Sequence, residues 1–427
     1  MEMRSVGDPP FEGKTSVITC NMQGIVQEYE ADAAELFGWT QDEVIGKMSV
    51  AMFHVPKNVP TLVPRLLREA IEKGKFEEQV TLMRKDASTF QAILTVRPMM
   101  RDGKQVGFMG ITQPLGPPGE VPVGHLWVQA FRTPFLVASL IPAVVAALAA
   151  WQAGYAIDFG LLGLALVALA SIHVGTNMAN DAWDYRSGND LAVRHMNPFA
   201  GGSRVLLRGV LNPTTHLAVA IAFLAAGSLI GLYLVSIVGL PLLWIGLAGV
   251  IVAYFYVAPP LRLAHHGLWE VAVGYAFGPA TVLGTYFVLT RSFDLPAVIL
   301  SATFGLLVAG ILWINEVPDI PADSSVGKRT LVVRLGVERS TKVFGGIIVA
   351  AYALLAIGVV AFRLTPWALL GFLALPLAVK PVLGLRKVGG DPHALIPSNA
   401  GMVLATIVTG ILLIIGLTVE AVVLSFV

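Results

Sequence analysis

Apolar and polar positions follow two different patterns along the chain. From about Thr15 to Thr112, short apolar runs alternate with turn residues. Ser16–Cys20 and Ile25–Tyr29 flank Asn21-Met22-Gln23-Gly24, which predicts a hairpin. Asp32 to Phe37 predicts a short helix, with Asp32 as its cap and Gly38 ending it. Val59 to Lys73 predicts a longer helix closed by Gly74. Three strand-like runs follow, Phe76–Leu82, Phe90–Val96 and Gln105–Ile111, with turns at 85–88 and 101–104. This order predicts one five-stranded antiparallel sheet with helices on one side.

Residues 113–124, QPLGPPGEVPVG, have no hydrophobic period and read as a semi-stiff linker. Beyond them the pattern is almost continuously apolar. About nine segments are each long enough to cross a ~30 Å hydrocarbon core as a helix. They lie near 126–152, 158–182, 214–237, 239–257, 267–290, 295–315, 342–362, 365–381 and 398–425. The expected fold is therefore an all-α polytopic membrane protein of about nine helices, preceded by a small α+β domain. Boundaries are expected at 1–112, 113–124 and 125–427.

Charge sharpens that division. Residues 1–120 hold 29 charged side chains, whereas the 307 positions after them hold 28. Fourteen of the sixteen basic residues in the second part fall in connections on one side if the N-terminus is inside. Only Arg291 and Arg363 fall on the other, a strong positive-inside bias. The N-terminal MEMRSVGDPPFEGK has no apolar core of a signal peptide, so the cytoplasmic membrane is expected, with the first domain in the cytoplasm. A net charge of +1 argues against nucleic acid as a partner. The single cysteine, Cys20, excludes internal disulfides and cysteine-based zinc sites.

Chemistry concentrates in two short acidic clusters. The membrane part has 12 Asp and Glu residues, and six of them lie in these clusters. The first contains Asn177, Asn180, Asp181, Asp184, Arg186 and Asp190; the second contains Asn315, Glu316, Asp319, Asp323, Lys328 and Arg329. Each follows an even-numbered helix, so both face the cytoplasm. Asn177, Asn180, Asp181 and Asp184 share one helical face, as do Asn315, Asp319 and Asp323. Carboxylates packed this closely repel unless a cation holds them. All-oxygen donors suit Mg²⁺, which bridges a few carboxylates to phosphate oxygens. The candidate metal ligands are Asn180, Asp181, Asp184, Asp190, Asp319 and Asp323, supported by Asn177 and Asn315. Asp184, Asp190 and Asp319 are the candidate catalytic residues. Arg186, Arg204, Arg262, Lys328 and Arg329 would complete a site for a diphosphate, although any one of them also suits a positive-inside anchor. His265-His266 reads as a membrane-surface loop, because adjacent residues on a helix or strand point apart.

Two resemblances follow from these residues. "NMQGIVQEYEADAAELFGWTQDEVIGK" and "RKDASTFQAILTVRPMMRDGKQVGFMGIT", with the element order, resemble a PAS domain over its whole length. The long helix lacks a histidine, which argues against haem, and His54 before it reads as a loop residue. Cys20, in the first strand, reads as a small buried hydrophobe. A noncovalent flavin or another small ligand stays open, as does a PAS-mediated homodimer. The acidic clusters resemble those of the UbiA superfamily of intramembrane prenyltransferases. Asn180, Asp184 and Asp190 match its first motif, with the wider last spacing of the dihydroxynaphthoate branch. Asp319 and Asp323 match the second, followed by Gly327-Lys328-Arg329-Thr330-Leu331. "RTPFLVASLIPAV", "NPFAGGSRVLLRG" and "YVAPPLRLAHHGLWEVAVGYAFGP" also look like family signatures. Glu316 departs from the pattern, standing where an amide or aspartate is expected.

The resemblance implies Mg²⁺-dependent transfer from a polyprenyl diphosphate to an aromatic acceptor in a lipid membrane, in menaquinone-like quinone biosynthesis. The PAS domain either regulates this activity or serves as a passive dimerisation or recruitment module. A lipid glycerol phosphate or a tetrapyrrole is the alternative acceptor. A PAS-linked receptor is the reading from another class, but it leaves both acidic clusters unexplained. A transporter would place its acids at the midplane, not at helix ends.

Overall fold

The computed structural model describes residues 15–101, 104–114, 123–187, 199, 205–206, 212–256, 258–325, 327–392 and 394–425. Most of the expected linker lies outside them. The described residues form two compact units, one built on a sheet and one on helices.

The first unit runs β1 (Ser16–Asn21), β2 (Val26–Tyr29), α1 (Ala31–Phe37), α2 (Gln41–Val44), α3 (Val59–Lys73), β3 (Phe76–Met83), β4 (Thr89–Arg101) and β5 (Lys104–Pro114). Its five strands are ordered β2-β1-β5-β4-β3, and every neighbouring pair is antiparallel. Asn21 makes the hairpin turn, because its side-chain oxygen accepts the backbone N–H groups of Gln23 at 3.0 Å and Ile25 at 2.9 Å. Gly74 closes α3 at φ 72°, a left-handed position that a side chain would strain. Leu62 and Leu66 of α3 join Ile18, Leu94 and Phe108 of the sheet in one core.

Two expectations need correction here. Asp32 is not the cap of α1. The extended cap residue is Glu30, and Asp32 lies inside the first turn, two positions on. His54 is not an ordinary loop residue either. It bridges to Leu82 beside β3 and is 6% exposed, and its Nδ1 has no hydrogen-bond partner. It lines a cavity of about 60 Å³ together with Cys20, Leu66 and Phe108. Burial holds the His54 imidazole down at about 4 and pushes the Cys20 thiol up to about 11.

The second unit contains α4 (Trp127–Gln152), α5 (Phe159–Ser187), α6 (Pro213–Val238), α7 (Pro241–Phe255), α8 (Trp269–Thr290), α9 (Leu295–Ser325), α10 (Leu331–Ala361), α11 (Pro366–Val388) and α12 (Ile396–Val422). Eight of these are long and apolar enough to span a bilayer, and α7 is the short one. Their outer faces are apolar, with Leu229 66% and Val360 87% exposed, the inverse of a water-soluble surface.

Four boundaries shift by five residues or more from expectation, with α11 running on to Val388. α5 runs to Ser187 and α9 to Ser325, so Asp184, Asp319 and Asp323 sit on helical extensions. A 3₁₀ turn at Val317–Asp319 interrupts α9. α10 starts at Leu331, eleven residues earlier than expected, and breaks at Gly336. Backbone contact without side chains sets the approach of α8 to α9. A Cβ on Gly278 would lie 2.4 Å from the Ser301 carbonyl oxygen, and one on Gly305 would lie 2.7 Å from that of Gly274. The pairs 274–305 and 278–301 make the helices antiparallel. The first turn of α8 therefore stands beside the last turns of α9.

Candidate active site

Four polar residues project from the final turns of α5, and they divide into two pairs. Asn177 and Asp181 turn toward a break in α4. Asn177 Nδ2 donates to the Phe131 carbonyl at 3.4 Å, and Asp181 Oδ1 meets Arg132 Nη2 at 3.1 Å. Arg132 takes a left-handed backbone, φ 51°, at that break. Asn180 and Asp184 lie on the neighbouring strip. Asn180 Oδ1 is buried without a hydrogen-bond partner. Asp184 interacts electrostatically with Lys328, Asp181, Arg132 and Asp319. The two clusters, more than 130 residues apart in sequence, therefore meet.

The α9 side is equally specific. Asn315 Oδ1 accepts from Asn399 Nδ2 at 2.7 Å, and the same amide donates to the Ile314 carbonyl at 3.1 Å. Asn315 thus braces α9 against α12. Asp323 is 1% exposed, and its Oδ1 stands 3.4 Å from Lys328 Nζ. Glu316 faces the carboxyl group of Glu270, and neither of its own oxygens receives a donor from the protein.

Lys328 is the cation at the centre. It is buried, and burial alone would lower its pKa. The fields of Asp323, Asp184, Glu316 and Asp319 outweigh burial and hold it above the usual lysine range. Its Nζ lies 4.2 Å from the centroid of the Trp269 ring, which stacks on Tyr256 at 4.0 Å. Three residues on, the Leu331 N–H donates to Glu270 Oε1 at 2.7 Å. Thr330 caps α10 by accepting from Val333 N at 3.1 Å.

The other expected cations stand apart from this group. Arg186 is exposed over the Trp183 ring at 5.2 Å. Arg262 and Arg329 are exposed as well, and the Arg329 carbonyl accepts from Arg334 Nε. Asp190 and Arg204 lie outside the described residues. His265 and His266 form a single 3₁₀ turn between α7 and α8. Arg132, Tyr256, Trp269, Glu270 and Asn399 were not among the expected site residues. The first four lie in the apolar stretches singled out as signatures, but nothing in their spacing tied them to the acidic clusters.

Among the described residues, no three of His, Cys, Asp and Glu stand close enough to hold an ion between themselves. The carboxylates instead surround one lysine. That arrangement suits a cation shared with a phosphate-bearing ligand, since Mg²⁺ is typically held by one or two carboxylates plus substrate oxygens.

The meeting of Asp184 and Asp319 also fixes the number of passes. α5 and α9 end on the same side, so an odd number of crossings must separate Ser187 from Leu295. α6 and α8 are each long and apolar enough to cross. If both do, α7 crosses as well, and the Tyr256–Trp269 stack holds its far end on the site side.

Comparison with known proteins bears on both units. Residues 139–389 match the UbiA prenyltransferase family, and residues 14–115 match the PAS fold. A 1,4-dihydroxy-2-naphthoate octaprenyltransferase of Mycobacterium tuberculosis (strain ATCC 25618 / H37Rv) is 31% identical over 64% of this chain and 89% of that protein. Its namesake from Bacillus subtilis (strain 168) is 26% identical over 62% of this chain and 84% of that protein. A solved structure of digeranylgeranylglyceryl phosphate synthase is 17% identical, covering 69% of this chain and 98% of that one at a TM-score of 0.50. That likeness speaks for the shared fold.

Proposed function

Because the chain belongs to the UbiA prenyltransferase family, we propose that it transfers a prenyl group from a polyprenyl diphosphate to a naphthoate-type aromatic acceptor in quinone biosynthesis. The observation that carries this reading is the convergence of the α5 and α9 ends around Lys328, where Asp184, Asp319 and Asp323 act on one ammonium. The relatives named for a dihydroxynaphthoate acceptor support the choice of acceptor over a lipid glycerol phosphate.

The donor set fits Mg²⁺. Asn180 Oδ1 and both Asp323 oxygens are buried hard donors without hydrogen-bond partners. Asn180, Asp184, Asp319 and Asp323 would hold the ion, with Asp190 completing the first motif. Asp181, already committed to Arg132, braces α4 instead. When bound, Mg²⁺ neutralises diphosphate charge and stabilises the leaving group.

The protein's own groups do the rest. Lys328 stays protonated and offers its N–H donors to the departing diphosphate oxygens. The allylic C–O bond breaks with its electron pair leaving on the diphosphate, and an electron-rich ring carbon of the acceptor attacks the allylic cation. A carboxylate of the cluster takes the proton that the ring releases. The isoprenoid tail lies along the apolar helices, which explains why the reaction is housed in a membrane. The positive-inside bias supports a mouth on the cytoplasmic side of the cell membrane.

The test is mass spectrometry of lipid products from purified protein given polyprenyl diphosphates of several lengths and 1,4-dihydroxy-2-naphthoate. A prenylated naphthalene product, abolished in folded Asp184→Ala and Asp319→Ala proteins and by excess EDTA, is expected. Near-normal turnover in either variant would sink the assignment. The PAS unit is proposed as a sensor that gates this activity. The apolar cavity that His54 lines, with its Nδ1 unpartnered, favours that role over a passive scaffold. The cavity is small beside the ~300 Å³ or more that drug-sized ligands occupy.

A further inference from the structure

Two consecutive residues at the start of α8 grip the turn that carries Lys328. The Trp269 ring lies 4.2 Å from the Lys328 ammonium. The Glu270 carboxylate holds the Leu331 N–H at 2.7 Å. These contacts differ in kind from the ion pair with Asp323, at 3.4 Å. An aromatic face attracts an ammonium through its quadrupole and engages at most one of its three N–H donors, weakly. The ammonium is therefore held in place while its remaining N–H donors stay available. Without the ring, a four-carbon stem would let it fold fully onto the surrounding carboxylates. The Gly278–Gly305 approach fixes the ring in turn, since it sets where the first turn of α8 stands beside α9.

We infer that Trp269 and Glu270 are positioning residues for the diphosphate. Together they hold the Lys328–Leu331 turn so that the ammonium keeps donors for phosphate oxygens beside its 3.4 Å pair with Asp323. The inference rests on Lys328 binding the diphosphate, as proposed above. Tyr256 backs the ring by stacking at 4.0 Å.

The test uses full-length protein in liposomes with geranyl diphosphate and 1,4-dihydroxy-2-naphthoate, plus calorimetric binding of Mg²⁺–pyrophosphate. Trp269→Leu should raise KM for geranyl diphosphate about tenfold. It should weaken pyrophosphate binding to a similar extent and lower kcat by no more than Lys328→Met does, with the acceptor KM unchanged. Trp269→Phe keeps a ring face and should stay within about threefold of wild type. Glu270→Gln keeps an oxygen for the Leu331 N–H and should stay near wild type, whereas Glu270→Ala should not. In a Lys328→Met background, Trp269→Leu should add nothing.

An equal loss in that background, or equal losses in Trp269→Phe and Trp269→Leu, would overturn the inference. A raised KM in Lys328→Met with an unchanged KM in Trp269→Leu would overturn it while leaving the role of Lys328 intact. An unchanged KM in Lys328→Met would remove the diphosphate role of Lys328 and the inference together. Should Trp269→Leu not fold, the Trp269→Phe result and the two Glu270 variants decide the matter.

Discussion

Arg132 and Asp181 form an ion pair at 3.1 Å in which the carboxylate is almost fully buried and the arginine only partly. The pair joins the break in α4 to the last turns of α5. It holds α5 against α4 one helical step away from Asp184. A buried pair of this kind is costly to break from one side, because the remaining charge stays desolvated.

Removing either partner should therefore destabilise the helical unit. Arg132→Met and Asp181→Asn should each cost about 3 kcal/mol. The double variant should recover part of that loss, since no charge is then stranded. Thermal unfolding in detergent, followed by size-exclusion chromatography, reads this directly. Additive losses in the double variant would show that the two side chains act independently.

The close contact of α8 and α9 predicts sensitivity to a single methyl group. Gly278→Ala places a Cβ 2.4 Å from the Ser301 carbonyl. It should destabilise the protein by about 1–3 kcal/mol and lower activity by displacing Trp269 and Glu270. Gly163→Ala on α5 meets nothing within 4 Å and should be neutral or mildly stabilising. Equal behaviour of the two variants in a melting assay would contradict the packing.

His54 predicts an acid-labile PAS unit. In the folded state it stays neutral down to about 4, whereas the unfolded chain takes up the proton near the usual 6.5. The unfolded state thus binds more protons between those values, so stability falls as pH drops from 6.5 toward 4 and levels off below. The loss amounts to about 3 kcal/mol. Hydrogen exchange of the sheet amides should show it, and His54→Gln should flatten the slope. A slope that survives the substitution would place its origin elsewhere.

Topology is open to a labelling experiment in Cys20→Ser protein. Cysteines placed at Ser187 and Ser324 should react from the cytoplasm, and one at Ser292 from the opposite face. Reaction of 187 and 292 from one face would contradict a crossing α7.

Gating predicts a kinetic difference on removal of residues 1–118. The truncated protein should differ from the full chain in rate or substrate affinity in the same membrane. Unchanged values under oxidising and reducing conditions alike would leave the PAS unit a scaffold role. Regulation needs a ligand that binds the active and inactive states unequally.

Alternation and turn residues made the sheet unit readable strand by strand, because each register places one face in the core. α3 matched its expected span at both ends, since Gly74 supplies the left-handed stop. The helical ends were harder to place. Polar residues stopped the hydropathy signal near residues 182 and 315, yet the helices continue because Asp181 has Arg132 and Asn315 has Asn399. Those partners are distant in sequence and leave no periodic trace. The same holds for Trp269 and Glu270, whose role depends on where Gly278 lets α8 settle. The acidic motifs themselves were legible, because carboxylates at the ends of apolar helices are rare enough to stand out.

The shortness of α7 has a consequence for the lipid around it. Its 15 residues rise about 22 Å, yet it must complete a crossing of a ~30 Å core. A bilayer that accommodates so short a crossing by thinning would bring its headgroups inward there. Trp244, 67% exposed near its start, is suited to such a lowered interface. Membranes of shorter acyl chains will accommodate the protein at less cost than thick, sterol-rich ones.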